Sequence, residues 1–413
     1  MSRPPVLIIA GGANSRFFPF QHIGHKGAFT LLGESLMVRT LRGLEAEGFT
    51  RVVCVITPKD EELQFSRQLI EHAGLSLQVS FAVQPEPKGM GDAILHGLAA
   101  LDQPEPEQFA VVTAYHLSAG KMLAHMLEKG SGTVVAAAET DRPWEYGILR
   151  MNEAGEAIGV IEKPEKGTEP SNQKVLTVYL LSRQYTQILK ALPTTEYNFE
   201  SALDQEMSTH PVSVFTSAQS TLTLKYPWHL FTFQEGLLGQ LTSHRASTAR
   251  IAPTAVIDET NGPVYIGEHV QIGHCSRVVG PCYLGDHVMI GDFSLVRGSS
   301  LEQHTHIGCF TEIARSIFAE DVHVHSGYIG DSVIGHHVRI GAGFVTANKR
   351  LDHRSVGVLV KSKVVDSGRK ALGVMIGDGA KIGIQVGTMP GKCVGPNAVV
   401  APKQSVDTNL SIE

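Results

Sequence analysis

The chain has 413 residues, with 35 Lys and Arg against 41 Asp and Glu, a formal net charge of −6. That balance excludes the basic stripe needed to grip a nucleic-acid backbone, although it leaves room for local basic pockets that take small phosphates. A hydrophobic content of 42% and a charged content of 18% exclude wholesale disorder.

The length predicts two or three domains with sizeable cores. No apolar run approaches the ~18 residues of a membrane span. The opening run at residues 6–10 is shorter than the ~7–15 residues of a secretory core segment, and a Gly-rich loop follows it directly. Cys54, Cys275, Cys282, Cys309 and Cys393 are odd in number and contain no CxxC pair. They predict reduced, mostly buried thiols in a cytoplasmic protein, with no disulfide framework and no metal site.

Residues 1–245 alternate short apolar runs with amphipathic stretches. Strands are predicted at 6–10, 52–56, 79–84 and 110–113, and helices at 36–47, 60–73, 91–100 and 121–128. This alternation predicts an α/β domain with a mainly parallel, Rossmann-like sheet covered on both faces. Ligands in such sheets bind at the carboxyl ends of the strands.

From about residue 246 to 413 the period changes. Ile266, Ile272, Val278, Leu284, Ile290 and Val296 are six apart, and Ile376, Ile382, Val394 and Val400 continue the spacing, with Thr388 in the remaining slot. Gly often follows directly, and Gly totals 42 residues, above the usual ~7%. A strict six fits neither a helix nor an alternating strand. It predicts a hexapeptide-repeat, left-handed parallel β-helix in which three short strands close one triangular coil. Between Phe344 and Leu372 the beat fails and polar residues dominate, so a loop is expected to leave the coil there.

Chemistry-bearing residues follow the first strand. Gly11 and Gly12 let backbone N–H groups approach phosphate, and Arg16 and Lys26 carry positive charge for it. The segment resembles the opening loop of sugar-1-phosphate nucleotidyltransferases. Gln84 with Gly89-Met90-Gly91-Asp92-Ala93 resembles that family's base-recognition segment. Tyr146-Gly147 and Ile161-Glu162-Lys163-Pro164 resemble its sugar-binding segments, and Tyr226-Pro227-Trp228 the start of its closing helix. The resemblance implies that Gly11, Gly12, Arg16, Lys26, Gln84 and Gly89 bind nucleotide and that Gly147 and Glu162 bind sugar. It also implies Mg²⁺, which prefers carboxylate oxygens. Here the two metal-ligand positions of the family read Tyr115 and Thr223.

In the second half, His325-Ser326-Gly327-Tyr328-Ile329-Gly330-Asp331 is followed by Ile340-Gly341-Ala342-Gly343 and Asn348. This pattern resembles the acetyltransferase half of the bifunctional UDP-N-acetylglucosamine pyrophosphorylase / glucosamine-1-phosphate N-acetyltransferase family. Acyl transfer to an amine needs a base, and a neutral imidazole suits that work near pH 7. The resemblance implies His325 as base, with Tyr328 and Asn348 positioning the amino sugar. It places the Ala342 backbone near the thioester of acetyl-CoA and Arg315 and Arg339 near a phosphate. It further implies a homotrimer. The neighbouring histidines His304, His306, His323, His336 and His337 are read as outward-facing or corner residues.

Three functional readings follow. In one, the β-helix transfers acetyl groups while the first domain binds a sugar phosphate, nucleoside triphosphate or nucleotide sugar. In the second, both domains turn over. In the third, the chain is a regulatory or scaffold subunit. None involves nucleic acid or a membrane.

Overall fold

The computed structural model describes residues 3–12, 14–21, 24–58, 60–101, 105–218 and 222–410. These pack as two compact units. One comprises segments 1–13, 27–29 and 35–222, and the other segments 14–26, 30–34 and 223–413.

The first unit is built on a sheet whose strands run, edge to edge, Ser213–Thr216, Val134–Glu139, Gln173–Ser182, Gln108–Thr113, Val6–Ile9, Arg51–Ile56 and Gln78–Val83. All neighbours are parallel except Gln173–Ser182, which runs antiparallel to both of its partners. The central strands read as continuous aliphatic runs because helices cover both faces. Val6, Ile8, Val52 and Cys54 pack into one core, while Leu7, Val53 and Val55 pack into the other. Helices Leu36–Ala46, Met90–Ala99 and Ala119–Leu127 fall within a residue or two of the predicted spans. The first is capped by Ser35, whose hydroxyl accepts from Val38 N. An antiparallel hairpin, Gly147–Met151 with Ala157–Glu162, extends from the long strand.

The second unit contains the left-handed parallel β-helix: three eight-stranded sheets, each strand parallel to the next. On one sheet the inward rungs are Ile266, Leu284, Leu301, Phe318, Ile334, Ile376 and Val394. All lie in one continuous aliphatic column, each buried side chain stabilising by roughly 1.5–3 kcal/mol. The six-residue beat loses one residue at several corners, as between Val296 and Leu301, without losing register. Thr346 and Thr388 occupy the inward position on the third sheet. The predicted loop leaves the coil after Phe344–Thr346 and carries an antiparallel hairpin, Gly357–Val360 with Lys363–Asp366. The coil resumes at Met375–Ile376 on the rung above Ile334.

Left-handed corners repeat in columns. His269, His287, His304, Asp321, His337 and Asn397 all have φ between 56° and 60°, a region that His, Asn and Asp enter more readily than most side chains. The rings of His269, His287 and His304 stack at 4.9 Å spacings. Corner geometry therefore accounts for His269, His287, His304 and His337 in this histidine-rich half.

Candidate functional site

In the first unit the carboxyl ends of the central strands converge on Gly11, Gly12 and Gln84. Gly12 has φ +118°, and a β-carbon on Gly11 would sit 3.2 Å from Gln84 Oε1. Gln84 is only 4% exposed. Its Nε2 donates to Gly89 O at 3.1 Å and to Asp92 Oδ2 at 2.8 Å. Gly89 has φ +102°, and a β-carbon there would strike Glu196 O at 2.6 Å. Gly11, Gln84 and Gly89 thus share one cradle that side chains on the glycines would fill.

Gly147 pairs with Glu162 across the hairpin, and Glu162 Oε2 lies 2.9 Å from where a Gly147 β-carbon would be. Lys163 pairs with Glu162 at 3.0 Å. Sequence reasoning missed Glu200. Burial raises its pKa, and Glu162 and Glu196 raise it further, so it faces the sugar-type segment. Its signal in sequence was a lone acidic residue at a helix start, which carries little information.

Arg16 and Lys26 pack with the second unit. There Lys26 is pushed down to about 8 by burial, then by the charges of Arg16 and Lys225. A phosphate beside it would raise that value again.

The donor set at the metal-ligand positions does not fit magnesium. The strand Gln108–Thr113 is followed by Ala114, Tyr115 and His116. Burial raises the Tyr115 pKa, keeping the phenol protonated. Burial pushes His116 down to about 4, and among the described residues neither of its ring nitrogens has a hydrogen-bond partner. At Thr223 the backbone carbonyl takes the ring of His229 at 2.6 Å. Among the described residues, no group of three or more His, Cys, Asp or Glu is placed to hold a metal.

His116 also has a measurable consequence. Its pKa is depressed in the fold, so the unfolded chain binds more protons between about 6.5 and about 4. Stability is expected to fall as pH drops through that window, by ~3 kcal/mol for this one group. His116→Phe should flatten that part of the urea-unfolding profile. An unchanged slope in the variant would contradict the assignment.

In the β-helix, His325 follows the inward Val324. The residues at the same place on other coils are Gly273, Gly291, Gly308, Gly341 and Gly383. One imidazole therefore stands in a trough of glycines. The glycines are needed there because neighbouring coils approach closely: a β-carbon on Gly308 would lie 2.1 Å from His325 O. The exposed His325 opens into a groove of about 840 Å³, shared with Cys309, Phe310, His323, Arg339 and Lys381.

Tyr328, Asn348 and Arg315 do not line this groove. They form a separate network around Asp331, which is 2% exposed. Arg315 donates to both Asp331 oxygens, at 2.8 and 2.7 Å. Asn348 Nδ2 donates to Tyr328 Oη at 3.1 Å and to Asp331 Oδ2 at 2.5 Å. The bond from Asp331 raises the Arg315 pKa above its ordinary value. Arg339 is also paired, donating to Asp321 Oδ2 at 2.7 Å. Burial tends to raise the Asp321 pKa, but hydrogen bonds from His337 and Arg339 outweigh it and bring the carboxyl to about 2. The Ala342 carbonyl accepts from Gln385 N at 2.7 Å.

Lys381 was not picked out in sequence. It sits on the rung above Arg339, in the column Met289, His306, His323, Arg339, Lys381. Among the described residues its side chain makes no ion pair. Its signal was its place just before the aliphatic beat, hidden because the loop separates it from Arg339.

Comparison with known proteins fits this geometry. The nucleotidyl transferase family model matches residues 5–220. The chain belongs to that family. The bacterial transferase hexapeptide model matches residues 263–298. A bifunctional sugar-1-phosphate nucleotidylyltransferase/acetyltransferase of Sulfurisphaera tokodaii is 27% identical over 410 residues, covering 98% of this chain and 97% of that protein. A bifunctional protein GlmU of Methanococcus maripaludis is 32% identical over 284 residues, 68% of each chain. One from Methanocaldococcus jannaschii is 25% identical over 409 residues, covering 98% and 95%.

The nucleotidyl transferase family member is therefore of the bifunctional nucleotidyltransferase/acetyltransferase kind, a transferase of sugar-nucleotide biosynthesis. Among its described residues, no helix is long and apolar enough to cross a membrane.

Proposed function

We propose that residues 246–413 transfer an acetyl group from acetyl-CoA to the amine of an amino-sugar phosphate resembling glucosamine-1-phosphate, with His325 as general base. The carrying observation is the single imidazole projecting from the glycine trough into the groove. The amine nitrogen attacks the thioester carbonyl while His325 takes its proton. The tetrahedral intermediate expels the thiolate, which recovers the proton from the imidazolium. The Ala342 backbone N–H is suited to the developing oxyanion. Asn348 holds both Tyr328 Oη and Asp331, a polar pair outside the groove for the part of the sugar away from the reacting amine.

Arg315 and Arg339 reach a phosphate only in competition with Asp331 and Asp321. Lys381 is the less committed cation of the groove. Lys381→Ala is expected to raise the KM of a phosphate-bearing substrate about tenfold with little change in thermal stability. An unaltered KM for both substrates would remove that role.

Residues 1–245 bind a nucleoside triphosphate or nucleotide sugar through Gly11, Gly12, Gln84 and Gly89, with Arg16 and Lys26 supplying charge and Gly147 and Glu162 the sugar contacts. The unsuited metal donors favour binding over pyrophosphate release. A homotrimer is supported by exposed apolar side chains on the coil, among them Phe293, Phe310, Val345 and Val399. Five free cysteines, two of them exposed, support a cytoplasmic setting.

The test is paired. Thiol release from acetyl-CoA with glucosamine-1-phosphate is expected, and magnesium-dependent pyrophosphate release from nucleoside triphosphate and sugar-1-phosphate is not. Absence of thiol release with any amino-sugar phosphate would reject the acyl-transfer reading.

A further inference from the structure

Two phenylalanines stand where the corner geometry of the coil disfavours them. Phe293 and Phe310 have φ of 56° and 55°, a region that a bulky side chain enters only at a cost in backbone energy. Both are exposed, Phe293 by 56% and Phe310 by 72%, so burial does not offset that cost. Their rings stack 5.3 Å apart with an interplanar angle of 3°.

The column that holds these rings stops at the coil of His325. Cys275, Phe293 and Phe310 share one left-handed place on three successive coils. Ile307 then pairs with Val324, and Thr311 with Gly327. Gly308-Cys309-Phe310 therefore lies under only two residues, His325-Ser326, and neither of these has a positive φ. The corner above Phe310 is one residue shorter and adds no side chain to the column. On the next coil the left-handed place returns as Gly343, again without a side chain. Two rungs of ~4.8 Å each are thus clear over the open face of Phe310. No second ring stacks there among the described residues. That height admits one more ring in van der Waals contact, and Phe310 lines the same groove as His325.

We propose that Phe310, seated on Phe293, is the platform for the sugar ring of the acyl acceptor and sets the affinity for that substrate. The assignment rests on the reading of His325 as the base of acetyl transfer to an amino sugar. The reacting nitrogen is bonded directly to the pyranose, so the ring that enters beside His325 is the acceptor's own. The axial C–H groups of a pyranose form an apolar face. Laid flat on a phenyl ring, that face is desolvated and sets its C–H dipoles against the negative π surface. Adenine, the other ring that a substrate brings, is separated from the thioester by the pantetheine arm and the diphosphate of coenzyme A. The two phenyl rings follow one another from coil to coil, so a neighbouring chain packed on this side would meet their edges.

The experiment is steady-state acetyl transfer by the full chain as wild type, Phe310→Ala and Phe310→Trp, with acetyl-CoA and glucosamine-1-phosphate varied in turn. Each protein is also sized by analytical ultracentrifugation. Phe310→Ala is expected to raise the KM for glucosamine-1-phosphate about tenfold, the loss of one aromatic contact. Its kcat and its KM for acetyl-CoA should stay within about twofold of wild type. Phe310→Trp should bring the acceptor KM back to within about threefold, because a larger flat ring keeps the platform. Inhibition by glucose-1-phosphate, which has the ring without the amine, should weaken in parallel in the alanine variant. An unchanged acceptor KM overturns the platform and leaves acetyl transfer standing. A rise confined to acetyl-CoA gives the ring to the donor and overturns it too, as does a change in assembly size. Absence of transfer by the wild type to any amino-sugar phosphate removes both the platform and the acetyl-transfer reading.

Discussion

His325→Ala is expected to slow acetyl transfer by about 10²–10⁴-fold, the usual contribution of a positioned general base. The fold should tolerate the change. His325 is exposed, and Ala401 stands in the same column on a later coil, so alanine is compatible with that corner. The loss should fall mainly on kcat, because the imidazole acts on the proton released as the bond forms rather than on ground-state binding. Steady-state thiol release, checked against an unchanged far-ultraviolet circular dichroism spectrum, measures it. A variant within about twofold of wild type would show that the imidazole is a bystander in the groove and that the amine loses its proton to water or another group. His306 and His323 share that groove, so alternatives would be sought there.

Phe318→Ala is expected to be the most destabilising single change in the coil, at ~3–5 kcal/mol. Phe318 is 0% exposed and sits in the aliphatic column between the rungs of Leu301 and Ile334. The column is continuous, and each rung is held by the coils above and below it. A cavity there can collapse only by shifting neighbouring coils against a fixed hydrogen-bond ladder. Leu351→Ala is the control. Leu351 lies in the loop that leaves the coil and is 99% exposed, so its truncation should change stability by less than about 0.5 kcal/mol. Denaturant midpoints of the two variants would separate these expectations, and similar losses in both would mean that the column is not the main source of stability in this unit.

The two sites differed in how far they could be read in advance. His325 was singled out through the resemblance of residues 325–348 to the acetyltransferase pattern, and the structure adds that glycine fills its place on most other coils. Gly11, Gln84 and Gly89 were singled out through resemblance to the nucleotidyltransferase opening loop and base-recognition segment, at the ends of predicted elements. Lys381 was not legible, since its register with Arg339 exists only once the intervening loop is folded out of the coil. Arg315 and Arg339 were read as charges for a phosphate. Their pairing with Asp331 and Asp321 depends on which corners stack from coil to coil.

From the sequence alone came the two architectures and the positions of most strands and helices, which are set by short-range periodicity and by residue types that only certain backbone conformations accept. The candidate site residues, His325 and Gln84 among them, came from resemblance to known families. The tertiary structure alone decided which polar groups are already satisfied: Gln84 Nε2 by Asp92, Arg315 by Asp331, Arg339 by Asp321. Whether a donor or a charge remains available for a ligand depends on partners that are distant in sequence or on another turn of the fold. No local pattern encodes that, because hydrogen bonds are directional and are satisfied only where folded elements meet.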